Sequence, residues 1–419
     1  MKISSLYALY SKHFLVDTDT RNIRKNSIFF GLKGDNFNGN KFAEKALELG
    51  ADYAIIDEEN YQTDANIILV DNVLKTLQEL ATYHRQQLKI PFIGLTGSNG
   101  KTTTKELINA VLSKKYKTSA TKGNLNNHIG VPLTLLSMTP KDEIGIVEMG
   151  ANHQKEIEFL STISQPNYGY ITNFGKAHLE GFGGIEGVIK GKSELYNYLE
   201  KNKKTAFVNS DDILQLEKTK NINKILFNKD NLKFVEANPF VKIFYKDITI
   251  QSNLIGKYNY SNIAAAITIA EYFKVPKEDI KNAIESYIPT NNRSQIIKTK
   301  NNNIILDAYN ANPSSVKVAL ESFSSNNSKE KTIILGDMFE LGKDSLKEHQ
   351  QIVTFATSLG FKNQYFVGEN FYRTSTGKNF FKSYYELENY LKNSPLKNDS
   401  ILIKGSRGMQ LERLLQIIT

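Results

Sequence analysis

Residues 94–104 read Gly-Leu-Thr-Gly-Ser-Asn-Gly-Lys-Thr-Thr-Thr, a glycine-rich stretch between two apolar segments. The run Ile90–Leu95 before it has the length and apolarity of a buried strand, and Lys105–Lys115 after it places its apolar residues on one face of a helix. A strand, a glycine-rich turn and a helix together present backbone N–H groups and a helix N-terminus to phosphate. The stretch therefore predicts a nucleoside triphosphate site.

The residue types in this loop suit a triphosphate. Two glycines allow the tight path of the backbone, a lysine supplies positive charge for the β- and γ-phosphates, and a threonine hydroxyl can bind Mg²⁺. The motif is shorter than a strict Walker A sequence, because Leu95 stands where the first glycine is expected. The alternative is a structural turn with a solvated lysine, but the flanking strand and helix favour a phosphate loop. The predicted ATP-binding residues of the loop are Gly97, Ser98, Asn99, Gly100, Lys101, Thr102 and Thr103.

Length and composition limit the class of protein. A chain of 419 residues is long for a single core and favours two or three domains. No apolar run approaches the length of a membrane span, and the absence of cysteine excludes disulfides and thiolate chemistry. The net charge of +9 is spread along the chain without a basic, aromatic-rich block. Small anionic substrates are therefore expected rather than nucleic acid.

The pattern of elements predicts an α/β protein with boundaries near residues 88 and 292. Residues 1–88 predict a small α/β unit, and residues 89–292 alternate strands and helices as in a doubly wound, mostly parallel sheet. Short alternating runs between residues 232 and 254 predict an antiparallel patch in that second unit. Residues 293–419 predict a second Rossmann-like α/β domain, closed by a helix from Met409.

Polar residues follow several of the predicted strands. Glu148 ends a strand, and a carboxylate at that edge of an α/β sheet can hold the Mg²⁺ that bridges ATP phosphates. The alternative is a strand-end glutamate facing water. Asn124, Asn126 and Asn127 form a loop rich in donors and acceptors, which ordinary turn chemistry explains equally well.

Two further loops carry candidate groups. Residues 173–184 contain four glycines, and His178 with Glu180 could serve a metal or a charged intermediate, unless this is only a glycine-rich surface loop. Residues 307–313, Asp-Ala-Tyr-Asn-Ala-Asn-Pro, end a strand and open a helix. Asn312 suits the helix N-cap, and the density of polar groups suits ribose or phosphate contacts.

Together these motifs resemble the Mur ligases. The stretches that carry the resemblance are 96–102, 123–132, 148–151, 173–183 and 307–313, in this order, and two later ones, 335–342 and 404–407, resemble one member of the family. The resemblance implies a UDP-substrate domain at 1–88, a central ATPase domain at 89–292, and a C-terminal domain at 293–419 that closes over ATP and the incoming amine.

The resemblance also implies an activity and its partners. It implies an ATP-dependent ligase that forms an amide bond between UDP-N-acetylmuramoyl-tripeptide and D-alanyl-D-alanine, with ATP and two Mg²⁺ ions. A cytoplasmic monomer that neither binds nucleic acid nor inserts into a membrane is expected. The alternatives are another ligase of the superfamily, of the folylpolyglutamate type or a different Mur step, and a P-loop nucleotide switch without ligation.

Roles follow from the resemblance position by position. Lys101 and its loop resemble the ATP phosphate site, Thr102 with Glu148 the first Mg²⁺ site, and His178 the ligand of a second Mg²⁺. Further ATP contacts are implied on the adenine side and near the C-terminal domain, at Asn259, Asn262, Arg293 and Asp307. Contacts to the uridine diphosphate and to the sugar-peptide are implied at Thr20, Arg21, Lys33, Gly34, Asn124, Asn126 and Asn127.

Two positions depart from the family pattern. Thr20 stands where the family usually has serine, and Leu306 replaces an additional aspartate. Neither change removes the hydroxyl or the aligned carboxylate.

Lys192 is the third implied catalytic residue, beside Lys101 and His178. In related Mur ligases the lysine at the matching place is carbamylated by CO₂, which turns a cation into an oxygen ligand for metal. The alternative is an ordinary lysine on the surface of a helix.

Overall fold

The computed structural model describes residues 1–227, 230–290, 292–326, 330–375, 377–397 and 400–418. The chain is an α/β protein in which a central doubly wound sheet lies between a smaller N-terminal α/β domain and a C-terminal Rossmann-like domain. Within the described residues, no helix combines the length and the apolarity needed to cross a membrane.

The N-terminal domain is built on a parallel sheet in the order β1-β2-β5-β6, with a small hairpin of β3 and β4 beside it. Its elements are α1 (Ile3–Tyr10), β1 (Val16–Asp17), β2 (Ile28–Phe30), β3 (Lys33–Gly34), β4 (Phe37–Asn38), α2 (Ala43–Glu48), β5 (Tyr53–Ile56), β6 (Ile67–Leu69) and α3 (Val73–Gln87).

Helix α3 forms hydrogen bonds between this domain and the central one. His84 Nε2 lies 3.0 Å from the Met138 carbonyl oxygen, and Arg85 donates from Nε to the Ser164 carbonyl at 2.8 Å. Burial lowers the pKa of His84 to about 4, so the ring is neutral at pH 7. The contacts place the N-terminal domain against the helices of the central sheet.

The central domain has a parallel sheet in the order β12-β11-β10-β7-β9-β8. Its first elements are β7 (Phe92–Thr96), α4 (Lys101–Leu112), β8 (Thr118–Ala120), α5 (Gly130–Leu136), β9 (Ile144–Glu148) and α6 (Glu156–Ser164). The next are β10 (Tyr168–Ile171), α7 (Leu179–Phe182), α8 (Ile185–Lys201), β11 (Thr205–Val208), α9 (Ile213–Lys218) and β12 (Asn223–Leu226).

An antiparallel sheet and two helices complete this domain, as the short alternating runs predicted. They are β13 (Leu232–Ala237), β14 (Phe240–Tyr245), β15 (Ile248–Ile255), α10 (Asn259–Tyr272) and α11 (Lys277–Ser286).

Helices cover both faces of the central sheet. Phe92 and Val147 pack on the side of α5, α6 and α8, whereas Ile93 and Ile146 pack on the side of α4 and α10. Strands covered on both faces are continuously apolar, which explains why β7 and β9 are buried at every position. Because the strands are parallel, the loops after β7, β9 and β10 meet at one edge of the sheet.

The C-terminal domain has a sheet in the order β16-β17-β21-β18-β19-β20, parallel except for β16. Its first elements are β16 (Gln295–Lys298), β17 (Asn303–Asp307), α12 (Pro313–Ser324), β18 (Lys331–Gly336), α13 (Ser345–Ser358) and β19 (Asn363–Val367). The last are α14 (Glu369–Tyr372), β20 (Phe380–Phe381), α15 (Tyr384–Asn393), β21 (Ser400–Lys404) and α16 (Leu415–Ile418).

The fold class predicted from the sequence is confirmed, but two predicted helices were wrong in extent. Helix α4 begins at Lys101 rather than Lys105, because Gly100 adopts a left-handed conformation that caps it. The closing helix from Met409 is instead a series of 3-10 turns followed by the short α16, because Gln410 has a φ of 49°. Such a φ is incompatible with a right-handed helix.

Candidate active site

The glycine-rich loop between β7 and α4 has the conformation of a phosphate loop. Gly97 and Gly100 have φ values of 144° and 78°, which favour glycine. A Cβ on Gly97 would lie 2.0 Å from Thr172 Oγ1, and one on Gly100 would lie 2.7 Å from Asn262 Oδ1. Both glycines are therefore required by the local conformation and by the neighbouring side chains.

Lys101 opens α4 and folds back over this loop. Its Nζ donates to the Gly97 carbonyl at 2.7 Å and to the Ser98 carbonyl at 3.3 Å. Burial in the cleft lowers the pKa of Lys101, the nearby Arg293 adds to this effect, and Glu148 opposes it. A cation held by neutral carbonyls beside the N-terminus of a helix can turn towards an anion without breaking an ion pair.

Glu148 lies at the end of β9 and is 1% exposed. Its Oε1 accepts hydrogen bonds from Thr102 Oγ1 at 3.3 Å and from Asn126 Nδ2 at 2.8 Å. Its Oε2 is buried without a hydrogen-bond partner. A buried carboxylate oxygen beside a threonine hydroxyl fits a hard cation, because Mg²⁺ takes oxygen ligands and relies on few carboxylates when phosphates complete its shell.

His178 lies in the loop after β10, with a left-handed φ of 52°. Its Nδ1 is 2.5 Å from Glu340 Oε2 of the C-terminal domain, a contact that lowers the pKa of the Glu340 carboxyl. Among the described residues, no group of three or more histidine, cysteine, aspartate or glutamate side chains could hold a metal ion. A cation in this cleft would thus depend on hydroxyl and phosphate oxygens as well as on Glu148.

Lys192 is fully buried in α8, which excludes the alternative of a surface lysine. Its Nζ donates to the Ala151 carbonyl at 3.1 Å and lies 4.9 Å from the centre of the Phe182 ring. Burial lowers the pKa of Lys192 well below its usual value, and the charge of Lys101 lowers it further, against the opposing effect of Glu156 and Glu194. Burial therefore favours the neutral form of this amine.

Asn259 and Asn262 lie at the start of α10, directly behind the phosphate loop. Asn262 Nδ2 donates to Asn259 Oδ1 at 2.8 Å, and Asn262 Oδ1 accepts from Thr104 Oγ1 at 3.0 Å. Both residues are buried, and these contacts tie α10 to α4. The structure therefore places Asn262 beside Gly100, next to the phosphate loop, while its predicted contact with adenine stays a prediction.

The C-terminal domain contributes its own charged cluster. Arg293 stacks on Tyr309, with its Cζ 3.7 Å from the ring centre. Asp307 Oδ2 accepts from Lys404 Nζ at 2.6 Å, and its Oδ1 accepts from the Ser294 amide at 3.2 Å. Sequence reasoning missed Lys404 as a site residue, although it opens one of the stretches that carry the family resemblance.

Most of these groups line one cavity of about 830 Å³ between the central and C-terminal domains, but Gly97 and Lys192 are not among its lining residues. The predicted residues that line it are Ser98, Asn99, Gly100, Lys101, Thr102, Thr103, Asn124, Asn126, Asn127, Glu148, His178, Asn259, Asn262, Arg293 and Asp307. The residues that sequence reasoning did not assign to it include Asn209, Asp212, Tyr258, Tyr309, Ser314 and Lys404. A hydrogen bond of 2.7 Å from Asn312 Nδ2 to Asn99 Oδ1 joins its two walls.

The predicted uridine-diphosphate residues lie elsewhere, in the N-terminal domain. Thr20 and Arg21 form a 3-10 turn in which Arg21 pairs with Asp19 at 2.6 Å. Lys33 and Gly34 lie in the β3–β4 hairpin, and Lys33 Nζ is 2.9 Å from Asp57 Oδ1. None of these residues is among those that line the cavity.

Comparison with known families gives matches along most of the chain. Residues 13–87 match the Mur ligase family, catalytic domain. Residues 95–270 match the Mur ligase middle domain, and residues 292–407 match the Mur ligase, glutamate ligase domain.

Similar proteins cover nearly the whole chain. The UDP-N-acetylmuramoyl-tripeptide–D-alanyl-D-alanine ligase of Bacillus subtilis is 35% identical over 96% of this chain and 92% of that protein. The protein of that name from Escherichia coli is 31% identical over 96% of this chain and 93% of its own length.

Solved structures agree with these matches. A crystal structure of MurF from Acinetobacter baumannii is similar with a TM-score of 0.84 at 30% identity, covering 96% of this chain and 92% of that one. The structure of MurF ligase from Thermotoga maritima in complex with ADP has a TM-score of 0.83 at 26% identity and covers 96% of both chains.

Proposed function

Because this chain belongs to the Mur ligase family, we propose that it is the ATP-dependent ligase that joins D-alanyl-D-alanine to UDP-N-acetylmuramoyl-tripeptide. The observation that carries this proposal is the cavity in which the phosphate loop and Glu148 face Arg293 and Asp307 of the next domain. A site built across two domains can hold a nucleotide and an activated substrate together.

The reaction must first make a carboxylate electrophilic. The terminal carboxylate of the tripeptide attacks the γ-phosphorus of ATP, which gives an acyl phosphate and ADP. The ammonium group of the dipeptide loses a proton, and the neutral amine then attacks the acyl carbon. The nitrogen loses a second proton to solvent, and inorganic phosphate leaves with the bonding electrons as the amide forms. Phosphoryl transfer depends chiefly on positioning and on neutralisation of charge. The backbone amides of the phosphate loop and the cation of Lys101 would supply both.

A divalent cation fits the donors at the base of the cavity. Thr102 and Glu148 would hold a first Mg²⁺, since Glu148 has a buried oxygen without a partner, and His178 would serve a second ion. When bound, Mg²⁺ offsets the charge that develops on the phosphate oxygens.

Each of the three domains would bind a different part of the substrates. Residues 1–88 would hold the uridine diphosphate through Thr20, Arg21, Lys33 and Gly34, and the central domain, 89–292, would face the sugar-peptide with Asn124, Asn126 and Asn127. Residues 293–419 would close over ATP with Arg293 and Asp307. A cytoplasmic location and a monomeric state are part of this proposal.

One assay tests this function. Phosphate release should require ATP, Mg²⁺, UDP-N-acetylmuramoyl-tripeptide and D-alanyl-D-alanine together, and mass spectrometry should detect the UDP-linked pentapeptide. A panel with a folylpolyglutamate substrate and other UDP-linked precursors serves as the control. Rapid ATP hydrolysis with the dipeptide omitted, or product formed only from another substrate pair, would contradict the proposal.

A further inference from the structure

Glu340 lies in the turn after β18, on the C-terminal side of the interface with the central domain. Its backbone has a left-handed φ of 61°, although it is not a glycine. The Glu180 amide donates to its carbonyl at 3.2 Å, across the interface. Non-glycine residues held in this region are strained, and such strain gathers at functional sites.

The residues before Glu340 are held rigidly. The Asp337 carboxylate accepts hydrogen bonds from the amides of Asn370 and Phe371 at 2.9 Å. The Met338 amide donates to His349 Nε2 at 3.0 Å, and the Phe339 amide donates to Ser406 Oγ at 2.9 Å. The preceding backbone therefore fixes where the Glu340 carboxylate lies, although that carboxylate takes no part in this network.

Glu340 keeps one carboxylate oxygen, Oε1, available to a ligand, because its contact with His178 Nδ1 uses Oε2. Its side chain is 50% exposed and touches His178, which lines the cavity, through Oε2. Glu340 adjoins the cavity through His178 and is not itself among the lining residues, whereas the carboxylates that line it have internal partners. Glu148 binds Thr102 and Asn126, and Asp307 binds Lys404.

The other two acidic residues that line the cavity, Asp212 and Glu156, also accept hydrogen bonds from within the protein. Asp212 caps α9 by accepting from the Gln215 amide, and Glu156 accepts from the amides of Asn152 and His153. The Glu156 side chain is almost as exposed, at 45%, but both of its oxygens accept hydrogen bonds. Glu340 therefore differs from these four in keeping one exposed oxygen, Oε1, without a partner among the described residues.

We propose that Glu340 binds the ammonium group of the incoming D-alanyl-D-alanine and holds that end of the dipeptide against the acyl phosphate. The inference rests on the proposed function and assigns a recognition residue to it. A free amino terminus is the one cationic group of this substrate, and moving it out of water requires an anionic partner. The phosphate loop is on the opposite wall of the cavity, so a carboxylate on the C-terminal side would place the amine between the two domains.

The test separates dipeptide binding from acyl phosphate formation. Glu340→Gln keeps the shape and removes the charge, so KM for D-alanyl-D-alanine should rise by about 10- to 100-fold, the range of a lost charge-assisted hydrogen bond. KM for ATP and for the UDP-tripeptide should stay near the wild-type values. Hydroxylamine, a neutral nucleophile at pH 7, should still trap the acyl phosphate as a hydroxamate at the wild-type rate.

Two further variants complete the design. Glu340→Asp keeps the charge on a shorter side chain and should restore much of the dipeptide KM. Glu369→Gln removes a carboxylate that is 75% exposed in the same domain and should leave every constant unchanged. Thermal melts of all variants show that each is folded.

Three results would overturn the inference. They are an unchanged dipeptide KM in Glu340→Gln, an equal rise of all three KM values, and loss of hydroxamate formation, which would place Glu340 in the first step instead. If the wild-type enzyme forms neither pentapeptide nor hydroxamate, the proposed function itself fails and the role of Glu340 falls with it.

Discussion

Removal of the Lys101 side chain should affect the chemistry strongly and the fold little. Within the described part of the chain, its Nζ bonds only to carbonyl groups of its own loop, so Lys101→Ala deletes no ion pair there. If it neutralises the transferring phosphate, the rate of phosphate release should fall by about 10²- to 10³-fold or more. Circular dichroism should show an intact fold. Lys114→Ala, an exposed lysine at the end of the same helical segment, is the control, and a stable, fully active Lys101→Ala enzyme would mean that the loop is only structural.

Lys192 is expected to be carbamylated. A buried amine held by one carbonyl has little means of keeping its charge, and a neutral amine can attack CO₂, form an N–C bond and release a proton. The product carries oxygen atoms, which are the ligands that Mg²⁺ prefers. Lys192→Ala should therefore abolish activity, and added formate or acetate should restore part of it by supplying the missing oxygens.

Labelling gives a direct test of the same modification. Wild-type protein equilibrated with ¹³C-bicarbonate should show a carbamate carbon signal by NMR that is absent from Lys192→Ala. A mutant with full activity, or an inactive but folded one that no small carboxylate rescues, would argue against carbamylation.

For individual residues, the sequence predicted which side chains belong to the site but not which side chains they contact. Asn312 was predicted as an N-cap, and it forms a capping box with Ser315. Its second bond, to Asn99, joins residues 213 positions apart. Asp307 was expected to contact ribose, but its ion pair with Lys404 spans 97 positions. Only the folded chain reveals such pairs, because nothing in the local sequence signals a distant neighbour.

Among the elements, the continuously apolar strands were the most predictable. Strands β7 and β9 are buried on both faces, so their composition alone distinguishes them from their surroundings. Strand β8 was missed, because Thr118–Ala120 is a short, partly exposed edge strand without an apolar run. Helix α1 was also missed, since its N-cap, Lys2, makes no side-chain capping bond that would mark its start.

The conformation of the loop that joins β7 to α4 should depend on Gly100. Alanine at a left-handed position costs roughly 1 kcal/mol anywhere, but at Gly100 its Cβ would also press on Asn262. Gly100→Ala should therefore weaken ATP binding at least about tenfold, which corresponds to roughly 1.4 kcal/mol. Isothermal titration calorimetry with ATP and a thermal melt would measure both effects.

Gly123→Ala is the matched control for this substitution. Gly123 has a φ of 55° and no atom within 4 Å of its added Cβ. It should therefore lose a similar amount of stability from backbone strain while keeping wild-type ATP affinity. Equal ATP affinities of the two variants would contradict the proposed role of the Gly100–Asn262 contact.

At the scale of the whole molecule, the shape of the cleft depends on how the C-terminal domain packs against the central domain. The loop after β10 carries most of these contacts. The Lys176 amide donates to Ser314 Oγ at 2.9 Å, Lys176 Nζ donates to Glu348 Oε1 at 2.6 Å, and His178 meets Glu340. The residues of each pair are separated by more than 100 positions along the chain. The order of the three domains in the sequence does not specify how they are placed relative to one another. The sequence could therefore predict the cleft as a class of site but not its contacts.

The ion pair of Lys176 and Glu348 should hold the central and C-terminal domains in the arrangement that the structure shows. The Glu348 side chain is only 7% exposed, whereas Lys176 is 43% exposed and can return to water when its partner is lost. Glu348→Gln should therefore cost the domain interface about 1–2 kcal/mol, less than a fully buried pair would. Small-angle X-ray scattering should then show a larger radius of gyration for the free variant, together with a lower kcat.

Ligands provide the decisive comparison for this contact. If ATP and the UDP-tripeptide bind across the cleft as proposed, saturating both should compensate for the lost pair and return the variant to the compact form. Glu369→Gln, which alters an exposed pair within the C-terminal domain, should match the wild type with and without ligands. If Glu348→Gln scatters like the wild type without ligands and keeps its kcat, the seating of the domains does not depend on this ion pair. The bonds of Asn99 to Asn312 and of Lys176 to Ser314 would then be sufficient to hold the two walls together.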